Sequence, residues 1–276
     1  LMSDDTLLAL LPKKISSKVK SIEPLSGLTN QSFKLITNKY SYALRINANH
    51  TESFKIDRKR ELKILENAIK AGISPEIIFK DSRNSILVTL FIDQDPWVEQ
   101  DLQDKEKLKL LAQLFRKIHT LPKSGSPFEP EVIATNYFSN IQSIPRYVEF
   151  GKKCVSFIKQ YGSIEVYCCC HNDVVVSNII GFEPLFIIDW EYASDNNPMF
   201  DIASLSCFHG LNNSLEQTIL NEYFDGHSKQ QYEEFLLQKR LYNAIYWLWL
   251  ASRHVMSPDD KQNKLLLDIE SRLGFK

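Results

Sequence analysis

The first third of the chain shows the short alternation of apolar and polar positions that is typical of antiparallel strands. β-forming residues alternate with polar ones on both sides of a polar tip at 37–39, which predicts a hairpin. Apolar positions then recur at helical spacing and stop at Gly72. The predicted elements are strands within 21–47, a helix over 57–71, and strands at 77–79 and 86–92.

After a polar tract at 93–103, apolar residues recur three and four positions apart, as in Leu108, Leu111 and Phe115. This spacing predicts a mainly helical remainder. We therefore expect an α+β fold of two units, with a β-rich N-terminal unit carrying one helix over 1–92 and a helical unit over 93–276. The predicted helices lie at 105–121, 144–160, 200–208, 213–224, 229–252 and 259–272, with a loop at 122–131 and strands at 166–170 and 185–188.

The composition, 43% hydrophobic and 24% charged, is that of an ordinary globular protein. Lysine and arginine number 33 against 34 aspartate and glutamate residues, which argues against nucleic acid as the main partner. The longest apolar run, 244–251, is far shorter than the roughly 20 residues that span a bilayer. The apolar run at 7–11 follows acidic residues, unlike a signal peptide. We expect a cytoplasmic protein without a membrane span.

The chain has five cysteines, three of them consecutive at 168–170. Adjacent cysteines in an apolar strand cannot form a disulfide framework, and no Cys-x-x-Cys pair suggests zinc. We expect all five to be reduced and to act as small core residues.

The segment 170–192 carries the candidate chemistry. It reads CHNDVVVSNII and then, after a short connection, FIIDWEY. Phosphoryl transfer to an alcohol requires a carboxylate that accepts the hydroxyl proton, and hard oxygen ligands that hold Mg²⁺ against the nucleotide phosphates. Asp173, Asn178 and Asp189 offer this set of groups. A chance match is the alternative interpretation of so short a motif, but the second strand ending in Asp189 and the FDIA that follows at 200–203 favour a kinase.

These motifs resemble the choline/ethanolamine kinase family, within the wider aminoglycoside-phosphotransferase-like and protein-kinase-like fold. HND at 171–173, IIDWEYA at 187–193 and FDIA at 200–203 carry the resemblance. Upstream, LSGLTN at 25–30 is similar to the nucleotide loop of the family, although with one glycine where the family often has two. YALRI at 42–46 is similar to its phosphate-contacting strand. The resemblance implies a bilobal kinase fold whose N-terminal lobe binds the nucleotide.

The resemblance also implies ATP as the phosphoryl donor and Mg²⁺ as the metal. Asp173 would be the catalytic base. Asn178 and Asp189 would bind Mg²⁺, and Glu191 is a candidate for a second metal contact.

The same resemblance implies that further residues bind the nucleotide or brace the catalytic loop. His171 and Asp201 would brace the catalytic loop without acting on the substrate. Arg45 replaces the lysine usual in protein kinases; it would contact the phosphates and pair with Glu61. The alternative interpretation of that pair is a solvated surface contact. The residues implied in nucleotide binding are Ser26, Gly27, Thr29, Asn30, Arg45 and Glu61, with Leu90, Phe91 and Ile92 as the hinge against adenine.

The acceptor should be an alcohol that reaches Asp173. Tyr246 and Trp249 share one face of an aromatic-rich helix and resemble the paired aromatics that line the choline pocket of choline kinases. Tyr192 is a further candidate wall, and core packing is the alternative interpretation of the two helix residues. Choline kinases commonly carry a glutamate shortly after the FDI segment, whereas 204–209 contains no carboxylate.

We therefore predict a kinase whose ligands are ATP and a small cationic alcohol, with choline or a related amino alcohol as acceptor. Thiamine kinases share the DWEYA segment and also bind a cationic alcohol, so they are the closest alternative. An aminoglycoside phosphotransferase is a second alternative, although no strong acidic cluster marks the C-terminal third. A non-catalytic nucleotide-binding module is the alternative of another class, and the presence of Asp173, Asn178 and Asp189 argues against it.

Overall fold

The structure is a computed structural model that describes residues 2–25, 30–47, 56–83, 85–163 and 167–275. Its N-terminal part contains a five-stranded antiparallel sheet. The strands are β1 (Val19–Leu25), β2 (Gln31–Thr37), β3 (Ser41–Ile46), β4 (Ile77–Asp81) and β5 (Ile86–Leu90). They are ordered β1-β2-β3-β5-β4, so the predicted hairpin forms and its second strand pairs with β5.

Two short helices at the N-terminus were not predicted. They are α1 (Asp4–Ala9) and α2 (Lys13–Ser16). One or two turns give too few positions for a helical period to stand out. Their apolar residues nevertheless join the sheet in one core, which contains Leu7, Leu11, Ile15, Phe33, Leu35 and Leu44.

The single predicted helix of this region is confirmed as α3 (Arg58–Lys70). It begins where the side chain of Asp57 accepts the backbone N–H groups of Lys59 and Arg60, at 2.9 and 3.2 Å. Its buried residues Ile64 and Leu65 share a core with residues of the next long helix, such as Leu108, Leu111 and Phe115. This shared core fixes α3 to the helical part of the molecule. The division into units at 92 and 93 stays a prediction.

Seven longer helices make up most of the remaining described residues. One of them was not predicted, because the sequence pattern indicates a loop up to 131 and no regular element directly after it. The helices are α4 (Lys105–His119), α5 (Pro130–Ile141), α6 (Pro145–Tyr161), α7 (Pro198–His209), α8 (Asn213–Phe224), α9 (Lys229–Met256) and α10 (Asp260–Leu273), of which α5 is the missed one. Even α9, the longest helix of the described chain, lacks the apolar stretch needed to cross a membrane.

Short strands frame the segment that carries the candidate chemistry. They are β6 (Cys168–Cys170), β7 (Ile179–Ile180), β8 (Phe186–Ile187) and β9 (Ser194–Asn196). The predicted strands at 166–170 and 185–188 are thus present in shorter form, with residue 166 outside the described residues. Each pairs with a strand that was not predicted, β6 with β9 and β8 with β7. Strands of two or three residues show no period in a sequence.

Candidate active site

Asp173 and Asn178 lie in the loop between β6 and β7. Asn178 ends a 3₁₀ turn over Val176–Asn178, and its Nδ2 donates a hydrogen bond to the carbonyl of Asp173 at 3.1 Å. The carbonyl of Asn178 accepts the N–H of Ile188 at 2.9 Å. This bond joins the loop to the strand that leads into Asp189. The fold therefore brings the predicted base and the two predicted metal ligands to one place.

The loop is held from behind by Asp201, which is fully buried at the start of α7. Its two carboxylate oxygens accept the backbone N–H groups of His171 and Asn172, at 2.9 and 2.7 Å. His171 Nε2 donates to the carbonyl of Ile188 at 3.0 Å. Both residues predicted to brace the loop make the contacts that this role requires, and their effect on activity stays a prediction.

Asn172 holds the same loop from its other side, and sequence reasoning missed it. Its φ of 65° lies in the left-handed region, which asparagine tolerates better than most residues. Its Nδ2 donates to the Tyr192 carbonyl at 3.0 Å and to Ser194 Oγ at 2.8 Å, and its Oδ1 accepts a hydrogen bond from Asn196 at 2.8 Å. Asn172 therefore fixes the direction in which the next residue, Asp173, leaves the strand.

Asp189 also has a left-handed backbone, with φ 67°, and this turns its carboxylate into the cleft. Its Oδ1 lies 3.5 Å from Nη1 of Arg45. Arg45 also forms an ion pair with Glu61 of α3, whose side chain is only 1% exposed. The pair of Arg45 and Glu61 is therefore buried, and the alternative of a solvated surface contact is wrong.

Glu191 lies at the centre of a second set of ion pairs. Its Oε2 accepts hydrogen bonds from Asn30 Nδ2 at 2.8 Å and from Arg58 Nη1 at 3.2 Å. Arg58 also contacts Glu61 at 2.8 Å, so it links α3 to the turn after Asp189. A metal contact by Glu191 would have to use its other oxygen. The predicted loop residues Ser26, Gly27 and Thr29 lie outside the described residues.

The carboxylates that face the cleft repel one another. Burial, together with the negative charges of Glu191 and Asp201, raises the pKa of Asp173 to about 6. Burial and the charge of Glu191 also raise the pKa of Asp189, while Arg45 acts in the opposite direction. The negative charges of Asp173 and Glu61 act on the pKa of Asp189 in the same direction as that of Glu191.

This arrangement fits a magnesium ion. Within the described part of the chain, Oδ1 of Asp189 is buried and has no hydrogen-bond partner. A divalent cation would satisfy that oxygen and would neutralise the crowded negative charge. Carboxylate and amide oxygens are ligands that suit Mg²⁺, so Asp189 and Asn178 could hold it beside the phosphates.

A cleft of about 930 Å³ runs between the sheet and the helical part. Arg45 and the three predicted hinge residues line its sheet side, and Asp173, Asn178 and Asp189 line the other. The N–H groups of Leu90 and Phe91 donate to the carbonyls of Glu76 and Ser41, at 2.8 and 2.9 Å. A hydrogen bond from adenine to these two hinge residues would therefore go to their carbonyls.

The end of the cleft beyond Asp173 is aromatic. Tyr242, Tyr246 and Trp249 of α9 form a stacked series, with ring centroids 5.5 and 5.7 Å apart. Tyr246 and Trp249 line the cleft and also pack against the core beneath it. They are therefore both pocket-lining and core residues. The guanidinium of Arg253 covers Trp249 at 5.4 Å, which leaves less of that ring for a ligand. Further aromatic residues that line the cleft include Phe128, Tyr137, Tyr192, Phe200 and Phe208.

His209, at the end of α7, contacts the catalytic loop and gave no signal in the sequence. Its Nε2 accepts the backbone N–H of Val176 at 3.1 Å, and its Nδ1 lies 3.4 Å from Glu99 Oε1. Burial lowers the pKa of His209 and so favours the neutral ring that can accept this bond. His209 is therefore a positioning residue for the loop.

We expect His209→Phe to lower kcat by about tenfold with little change in the KM for ATP, because a buried N–H without an acceptor costs about 1–3 kcal/mol. His209→Gln should recover most of the rate, since its side-chain oxygen can accept the same bond. Steady-state kinetics of both variants tests this. A phenylalanine variant as fast as the wild type would show that the contact does not matter.

The model of the choline/ethanolamine kinase family matches residues 20–266, which is nearly the whole chain. The chain belongs to the choline/ethanolamine kinase family. The protein LicA of Haemophilus influenzae is 26% identical to this family member over 249 residues, which span 82% of the chain and 71% of LicA.

Two solved structures show the same relationship. The choline kinase LicA from Streptococcus pneumoniae superposes on this choline/ethanolamine kinase family member with a TM-score of 0.81 at 26% identity, over 98% of this chain and 99% of that one. A structure of LicA in complex with AMP gives a TM-score of 0.80 at 26% identity, over 98% and 96% of the two chains. The family member therefore has the protein-kinase-like α+β fold and is an ATP-using phosphotransferase with an alcohol acceptor.

One departure from the family pattern is visible in the cleft of this choline/ethanolamine kinase family member. In the segment 204–209, which lacks a carboxylate, Phe208 faces the cleft and its ring lies 5.9 Å from that of Tyr246. Another acidic residue, Glu129, which precedes α5, also lines the cleft. The sequence analysis did not point to Glu129, because it predicts only a loop over 122–131.

Proposed function

We propose that the protein is a choline kinase, which transfers the γ-phosphoryl group of ATP to the hydroxyl of choline or of a closely related amino alcohol. The observation that carries the proposal is the position of Asp173. This carboxylate lines the same cleft as the hinge residues and the aromatic series on α9, and it is close enough for its charge to act on both Asp189 and Tyr246. An alcohol bound against the aromatic rings would therefore have its hydroxyl close to a base.

The residues of the loop are suited to the transfer. Asp173 accepts the hydroxyl proton on a carboxylate oxygen, while the acceptor oxygen bonds to the γ-phosphorus and the bond from that phosphorus to the leaving oxygen of ADP breaks. Asn178 holds the loop closed through the Asp173 carbonyl. Arg45, held by Glu61, offers positive charge to the phosphates. Mg²⁺, bound by Asp189 and Asn178, would supply charge neutralisation of the phosphates.

The acceptor end of the cleft favours a compact cation. A quaternary ammonium offers no hydrogen-bond donor, so aromatic faces and a nearby carboxylate are what would recognise it. Tyr246 and Phe208 supply aromatic surface, and Glu129 supplies negative charge to the lining of the same cleft. This combination supports choline as the acceptor.

Tyr246→Leu tests the acceptor site. Loss of a desolvated cation–π contact, worth about 2 kcal/mol, is expected to raise the KM for choline about thirtyfold while the KM for ATP stays unchanged. Tyr161→Leu is the matched control, because Tyr161 is an exposed tyrosine at the end of α6 and does not line the cleft. An unchanged choline KM in the Tyr246 variant would place choline elsewhere.

A panel of acceptors tests the proposed function as a whole. ADP release with Mg·ATP is measured for choline, ethanolamine, thiamine and an aminoglycoside, and choline is expected to give the highest kcat/KM. A thiamine kcat/KM ten times that of choline would replace the proposal with a thiamine kinase. Absence of phosphoryl transfer to every acceptor would support a non-catalytic module.

A further inference from the structure

A group of cysteine and histidine side chains, of the kinds that bind metals, lies behind the catalytic loop and outside the cleft. Residues two apart on a strand point to the same face, so Cys168 and Cys170 lie together while Cys169 faces the core. The sulfurs of Cys168 and Cys170 are 3.6 Å apart and are not bonded to each other. His119, the last residue of α4, packs against them. One ring nitrogen and the two sulfurs all lie within 4.8 Å of one another.

These distances are close to those of a zinc site. Two thiolates bound to one tetrahedral zinc at about 2.3 Å lie about 3.8 Å apart, and an imidazole nitrogen lies about 3.6 Å from each sulfur. The two sulfurs are already at this separation. The imidazole has to move by about one ångström, and the Tyr223 hydroxyl that contacts its Nδ1 has to move aside. The ligand set of two sulfurs and one nitrogen is of the soft and borderline kind that zinc prefers.

The surroundings of His119 supply the contacts that a metal-bound imidazole needs. Its Nε2 lies 3.1 Å from Asp201 Oδ2, and its Nδ1 lies 2.7 Å from the hydroxyl of Tyr223. A histidine that binds a metal through one nitrogen commonly donates its other N–H to a carboxylate. Asp201 fills that position for Nε2, so Nδ1 is left for the metal once the Tyr223 hydroxyl moves aside.

We propose that Cys168, Cys170 and His119 form a binding site for one thiophilic divalent cation of the zinc class. The fourth position would be taken by water or by the Tyr223 hydroxyl. Cys168 is half-buried, so the site is open to solvent from one side, whereas Cys170 is buried and His119 is 5% exposed. The prediction that Cys168 and Cys170 serve only as core residues is incomplete if this site forms.

The site would communicate with the catalytic loop through Asp201. The same carboxylate oxygen that faces His119 accepts the N–H of His171, two residues before Asp173. A bound cation would fix the His119 tautomer that donates to Asp201. The metal would thereby rigidify the residue that holds the loop, at a distance from the reacting atoms.

Cobalt substitution tests the proposal directly. Reduced protein is titrated with Co²⁺ in the presence of excess Mg²⁺ and without ATP or acceptor, so the result does not depend on the proposed kinase activity. Only cobalt bound by thiolates gives a sulfur-to-metal charge-transfer band. We expect this band to saturate at one equivalent per chain and to disappear when Zn²⁺ is added. Absence of the band in the wild-type protein would overturn the proposal.

Variants locate the site. Cys168→Ser with Cys170→Ser should abolish the band and weaken Zn²⁺ binding at least about 100-fold, since loss of an outer-shell partner alone costs 10–100-fold. Cys154→Ser, at a buried cysteine in another core cluster, should leave the band unchanged. If the double variant does not fold, the single variant Cys168→Ser serves instead, because that position is half-buried. A band of wild-type intensity in the Cys168/Cys170 double variant or in Cys168→Ser would contradict the assignment.

Discussion

Asp173→Asn is expected to lower kcat by about 10²–10⁴, the range for loss of a general base, while Mg·ATP binding stays nearly unchanged. The asparagine amide cannot take up the proton of the alcohol, but it has the same shape as the carboxylate. The hydrogen bonds from the N–H groups of His171 and Asn172 to the Asp201 carboxylate, which hold the loop, are untouched. Single-turnover kinetics and calorimetric titration with Mg·ATP measure the two quantities separately. A variant that keeps more than half of the wild-type rate would remove Asp173 from the mechanism.

The raised pKa of Asp173 gives two further tests, one on the wild-type protein and one on the same variant. The base acts when ionised, so the wild-type kcat/KM should rise with pH through about 6 and then level off. Burial and neighbouring negative charge disfavour the ionised carboxylate in the folded protein, so folding carries a free-energy cost above that pKa. The asparagine variant avoids this cost. At pH 8 it should unfold at the same or a higher temperature than the wild type.

Asp189→Ala is expected to weaken Mg·ATP binding by at least about 100-fold, while AMP binding without metal changes little. A metal bound here would lose its main protein carboxylate and so could no longer neutralise the β- and γ-phosphates as well, whereas loss of an outer-shell partner alone costs about 10–100-fold. AMP carries neither of these phosphates. Isothermal titration with the two nucleotides separates the metal site from the adenine site.

A matched control for this variant is Asp225→Ala. Asp225 has a left-handed backbone with φ 55°, close to the 67° of Asp189, but it ends α8 and lies away from the cleft. Both substitutions place alanine in the same unfavourable conformation. Only the Asp189 variant should lose Mg·ATP affinity. Equal affinities in the two variants would show that Asp189 is not the chief metal ligand.

The sequence was most informative where a period was long enough to be seen. The strands of the N-terminal sheet and the helices α3, α4 and α9 follow from apolar and polar spacing, and the end of α3 follows from Gly72. The strands β7 and β9 and the helices α1 and α2 are too short to show a period. The helix α5 was missed because the prolines before it suggested only a loop.

In the candidate site, too, the residues on local sequence motifs were predicted, whereas the contacts between distant elements were not. The residues on the HND and DWEY segments are close in sequence, and the structure places them together. Arg58 and Asn30 contact Glu191 across 133 and 161 residues, and His209 reaches Val176 across 33. Such contacts depend on how separate elements pack, which a single sequence does not encode in any local pattern. The contacts behind the loop therefore needed the structure.

The most direct test of the central proposal is a competition among acceptors in one reaction. The wild-type protein and Asp173→Asn are each incubated with γ-³²P-labelled Mg·ATP and equal concentrations of choline, ethanolamine and thiamine, and the labelled products are separated and counted. The proposal predicts that phosphocholine carries most of the label with the wild-type protein and that the label is nearly absent from every product with the variant. Label mainly in another phosphorylated alcohol, or equal labelling by the variant, would contradict it.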